Sequence, residues 1–123
     1  MTYSTLNQEC FQIGDIPTRL NHLAAHLTQI QSLTTEGTDE DKIVSLMRSC
    51  RYYIEWTVPP IVNIDVDTAV DIVDLGRILT RWLFDWKQIW ADTNARTQVA
   101  QLSGSWSERI QNVSADLSQI AAH

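Results

Sequence analysis

A chain of 123 residues, 44% hydrophobic and 20% charged, fits one globular domain with a core of its own. Fifteen acidic residues against nine basic ones give a formal net charge of −6. That sign repels phosphate and anionic headgroups, so charge-driven binding to nucleic acid or membrane is disfavoured, whereas a basic partner or a cation is accommodated.

The two cysteines, Cys10 and Cys50, match no metal-ligand spacing and both lie in apolar-periodic segments. They read as buried hydrophobes of a reducing compartment. The opening "MTYSTLNQECF" has no basic region followed by an apolar one, no apolar run is long enough to span a bilayer, and a cytoplasmic protein is expected. Without a secretory signal, the sequon at Asn112 carries no weight.

In chain order, Leu6, Cys10 and Ile13 predict a short helix over residues 4–13, closed by Gly14. Asp15 caps the next helix, with Pro17 in its first turn. There Ile16, Leu20, Leu23, Leu27 and Ile30 step by threes and fours to about Thr34, and Gly37 breaks the pattern. Thr38 and Asp39 offer caps for a third helix, with Glu40 and Asp41 on its positive dipole end. Its inner face is Ile43, Leu46, Met47, Cys50, Ile54 and Thr57, Arg51 and Glu55 form an outer i,i+4 pair, and Pro59-Pro60 ends it. "IVNIDVD" then alternates like a strand but stands alone, so it is expected to be an extended connection.

Asp65 or Asp67 caps the following helix, expected to run to about Ala91, with "ADTNA" as its break. Val99, Leu102, Trp106, Ile110, Val113, Leu117 and Ile120 line a last helix that contains Gly104, a residue usually placed there for packing. Residues 1–123 are therefore expected to form a single all-α domain, an antiparallel four-helix bundle with a short extra N-terminal helix.

"RWLFDWKQIW" places Trp82, Trp86 and Trp90 four residues apart, a ridge that Ile72, Leu75, Leu79 and Leu83 extend backwards. Val70, Val73 and Phe84 form a second apolar set on roughly the opposite side. A surface helix needs one apolar stripe, so this one is either central or shared between a core and an interface. Tryptophan is favoured in both roles. Residues 56–76 also hold Asp65, Asp67, Asp71 and Asp74 without a basic residue, which suits helix capping or an acidic patch for a basic partner.

Candidate chemistries are incomplete. His22 and His26 have the i,i+4 spacing of a metal pair, but Leu23 stands where the zincin pattern needs glutamate, and no third ligand is near. Asn63, Asp65, Asp67 and Asp74 follow the start of a calcium loop, with Thr68 in place of its glycine and aspartate in place of its bidentate glutamate. No metal or cofactor is expected. Arg19 and His26 resemble the R-x(4–6)-H pattern of the HEPN ribonucleases, themselves helical bundles. That resemblance implies metal-independent RNA cleavage by these two residues. Leu20 departs from the polar residue that family prefers after the arginine, and the pair lies in an early helix rather than a late one.

The sequence thus leads to a small acidic cytoplasmic helical protein without a catalytic constellation. Its expected mode is protein–protein interaction, as an adaptor, regulator or assembly partner and as a homodimer. The candidate contact residues are Trp82, Trp86, Trp90, Asp65, Asp67, Asp71 and Asp74. A HEPN-like ribonuclease and a metal- or ligand-binding bundle are the alternatives.

Overall fold

Four long helices and a short one account for nearly all of residues 16–121, the part of the chain that the computed structural model describes. They are α1 (Ile16–Glu36), α2 (Glu40–Val62), α3 (Val66–Phe84), α4 (Trp86–Ala91) and α5 (Thr93–Ala121). No strand occurs among the described residues, and the fold is all-α. The expected helix over residues 4–13, the Asp15 cap and the side chain of Ile120 lie outside the described residues.

The local pattern of α1 and α2 carries directly into the core. Ile16, Leu20, Leu23, Leu27 and Ile30 of α1 and Ile43, Met47, Cys50 and Ile61 of α2 are fully buried. Gly37 ends α1 in the left-handed region (φ 72°), and its N–H and that of Thr38 both donate to the Leu33 carbonyl. Asp39 occupies the N-cap of α2 but is itself left-handed, and its side chain makes no capping bond. No ion pair joins Arg51 to Glu55; both face a groove between α2 and α3.

Three expected boundaries move. Pro59 and Pro60 lie inside the last turn of α2 instead of ending it. Each proline removes only its own N–H, so just the Glu55 and Trp56 carbonyls lose their helical donors, close to solvent. "IVNIDVD" is correspondingly not an extended connection. α2 continues through Val62, and a tight turn leads to Asp65, whose carboxylate accepts from the Asp67 and Thr68 N–H groups as the cap of α3. The third change is at Asp85, where the long tryptophan helix breaks six residues before its expected end. Asp85 sits at φ −97°, ψ 14°, and its carbonyl accepts from both Gln88 and Ile89 to start the separate turn α4. After this break α4 carries Trp86, buried, and Trp90, half-buried. The bend folds them back toward α5.

α1, α2 and α3 follow one another as antiparallel neighbours, and α5 packs along α1. Ser107 donates to the Ala24 carbonyl at 2.8 Å and Ser114 to the Pro17 carbonyl at 3.0 Å, an order that makes α1 and α5 antiparallel. Gly104 faces the same seam, where an added Cβ would lie 2.4 Å from Nε2 at the flexible end of Gln31. Val99, Trp106, Ile110 and Leu117 of α5 are buried as expected, and its inner face is widened by small residues. Ala100, Ser103, Ser107 and Ser114 are buried, whereas Leu102 is exposed and Val113 only half-buried.

A candidate interaction surface on the third long helix

The two apolar faces of α3 have different fates. Ala69, Ile72, Leu75, Leu79 and Trp82 point into the core. The opposite face carries Val66 at 58% exposure, Val70 at 53% and Phe84 at 90%. Val73 is half-buried beside them, and Val62 is exposed at the end of α2. Among the described residues no helix covers this face, on which the exposed Arg77 and Arg81 lie between Val73 and Phe84. A phenylalanine with nine-tenths of its surface in water forgoes about 2–3 kcal/mol of burial.

The tryptophans lie on the other side of that division. Trp82 and Trp86 are 8% and 6% exposed, in the monomer core, and Trp90 is half-buried. The Trp86 and Trp90 rings approach to 5.7 Å at a 32° tilt, and the Arg96 guanidinium covers Trp90 at 5.3 Å. Trp82 and Trp86 therefore have little surface left for a partner.

The four candidate aspartates do not pool into one free patch. Asp65 is committed to its cap, Asp71 pairs with Arg109 of α5 at 2.9 Å, and Asp74 meets Arg77 at 3.7 Å. Asp67 is exposed in the first turn of α3, where the helix dipole favours it. The charge along α3 is polarised: Asp67, Asp71 and Asp74 lie in its first half, Arg77 and Arg81 in its second.

Two grooves flank α3. One, of about 500 Å³, runs between α2 and α3 along Ile54, Val58, Pro59, Val73 and Gly76, with Arg51, Glu55 and Arg77 at its edges. The other, of about 550 Å³, lies between α3 and α5, with Trp82 and Trp106 beside Ile78 and Leu102. Arg109 stacks on Trp106 at 4.9 Å while bonded to Asp71, which ties the two helices across it. A smaller polar cavity of about 250 Å³ separates the end of α1 from the start of α5.

The other candidate chemistries have these placements. His26 meets the edge of Tyr53 with ring centroids 5.3 Å apart, and its Nδ1 lies 2.8 Å from the His22 carbonyl, so that nitrogen carries the proton. Arg19 lies over the Trp56 ring at 5.5 Å. Among the described residues no three His, Cys, Asp or Glu side chains group as a metal site. Cys50 is buried, and burial pushes its thiol up to about 12, so it is no nucleophile at neutral pH.

Val66 lies in the strand-like alternation of "IVNIDVD", which hides its place on the outer face of α3. Its helical spacing to Val70 and Val73 was the available signal. Compared with family models, curated proteins and solved structures, the chain matches none of them.

Proposed function

We propose that this chain works by binding protein, as an adaptor, regulator or assembly partner that self-associates, and that its contact surface is the outer face of α3. One observation carries the reading: Val66, Val70 and Phe84 are exposed apolar side chains on one face of a well-packed helix, and no other helix among the described residues covers them. A helix of a self-sufficient monomer ordinarily buries its single apolar face and turns polar residues outward. Aromatic side chains such as Phe84 are enriched where a second protein completes the burial. Asp67 and Asp74 border this face and supply the polar rim such contacts have.

The test is a Phe84→Glu variant compared with wild type by light scattering and circular dichroism. The reading requires a wild-type dimer at tens of micromolar and a folded monomer in the variant. A wild type that is monomeric, with unchanged behaviour in the variant, would remove the homodimer and the role of this face together.

A further inference from the structure

The outer face of α3 is self-complementary, and we infer that it pairs antiparallel with the same face of a second copy of the chain, about a twofold axis beside Leu75. The inference rests on the interaction reading above and adds the occupant and the register. Val66 and Phe84 are the first and last of the nineteen residues of α3. Antiparallel pairing about the midpoint therefore sets Phe84 of one copy on Val66 of the other, with Val62 at the neighbouring end of α2. The most exposed aromatic ring is thereby covered by two exposed valines.

At 100° per residue, Val66, Val73 and Phe84 run along one side of this face, and Asp67, Asp74 and Arg81 along the other. A twofold axis perpendicular to the helices keeps corresponding sides together. Phe84 thus meets the partner's Val66 at each end, Val70 and Val73 lie across from the partner's Thr80 and Arg77, and the charged edge meets a charged edge. Because α3 is acidic in its first half and basic in its second, reversal brings Arg81 within a turn of the partner's Asp67. It also brings Arg77 beside the partner's Asp74. Asp67 and Arg81 are both exposed and have no ion pair among the described residues, so the second copy supplies their counter-charges. A parallel twofold would instead set the charged edge of each copy against the apolar edge of the other, leaving Asp67 and Arg81 without counter-charges.

Register is read by cysteine cross-linking in a Cys10→Ser background, with the buried Cys50 left in place. A Val66→Cys/Phe84→Cys double variant under mild oxidation by oxidised glutathione is expected to give a covalent dimer. Either single variant is expected to give none, because each cysteine then faces its own copy about 27 Å away, far beyond the roughly 7 Å that a disulfide spans. In parallel, Asp67→Arg and Arg81→Asp should each weaken the dimer about tenfold, and the two combined should return it to within about threefold of wild type.

Cross-linking of Val66→Cys alone, or a combined charge swap as weak as the singles, overturns the antiparallel register. If Phe84→Glu still dissociates the dimer in that case, the interaction reading survives. A wild type monomeric at tens of micromolar overturns the pairing and the self-association together.

Discussion

Two buried serines of α5, Ser107 and Ser114, hydrogen-bond to backbone carbonyls of α1. Ser107 satisfies its hydroxyl on the Ala24 carbonyl and meets Thr28 Oγ1 at 2.8 Å, inside the α1–α5 seam. Ser107→Ala should lower stability by about 1–2 kcal/mol, read as a shift in the denaturant midpoint, since it leaves Thr28 without that partner. Gly104 reaches the same seam, but what a new Cβ would meet is the flexible end of Gln31. Gly104→Ala is therefore expected to hold or raise the melting temperature, because alanine gains about 1 kcal/mol of helix propensity once Gln31 swings aside. Cys50 brings a pH dependence. Its thiol moves from the ordinary 9.0 up to about 12 on burial, so above pH 9 the unfolded chain loses a proton that the folded chain keeps. Stability contributed by the neutral thiol is present below pH 9 and lost progressively toward pH 12. Urea titrations across that window should show a steeper alkaline decline for wild type than for Cys50→Ala, by at most about 1.4 kcal/mol per pH unit.

At the scale of elements, α3 divides its residues between two tasks. Its inner side chains are core in the ordinary sense. Trp82→Ala should cost about 3–5 kcal/mol, measured by chemical denaturation, as expected for a large side chain removed from a packed interior. Trp86→Glu is expected to unfold the protein rather than release a folded monomer, because a charge at a 6% exposed position has no partner there. A folded, monomeric Trp86→Glu protein would return that tryptophan to the interface. The N-terminus of α3 depends on one side chain, so Asp65→Ala should destabilise by about 1 kcal/mol. The core faces of α1 and α2 were legible from spacing, since Leu20, Leu27, Met47 and Cys50 recur at the helical period, whereas the end of α2 beyond Pro59-Pro60 was not. The break at Asp85 was not, because Trp86 and Trp90 continue the same period on paper.

For the whole molecule, the decisive contrast is between stability and association. Phe84→Glu should change the unfolding free energy of the monomer, measured at concentrations too low for association, by no more than about 0.5 kcal/mol, because Phe84 contributes little to the monomer core, while changing the solution mass at tens of micromolar. If it instead unfolds the chain, the ring is packed in a way its 90% exposure does not allow. The apolar duality of α3 was legible from Val70, Val73 and Phe84 opposite Leu75 and Leu79. Which of its two faces the bundle would cover was not, since both are apolar enough to be buried.

Periodicity by itself determined the helical class, the core positions of α1 and α2 and the excess of apolar surface on α3. Those properties follow from the 3.6-residue repeat and the side chains within one segment. Only the tertiary structure decided that the tryptophans turn inward, that serines line the α1–α5 seam, that the chain bends at Asp85, and that Val66, Val70 and Phe84 remain outside. Each of those outcomes depends on how near a neighbouring helix comes and where the bundle ends, and no local pattern encodes either distance.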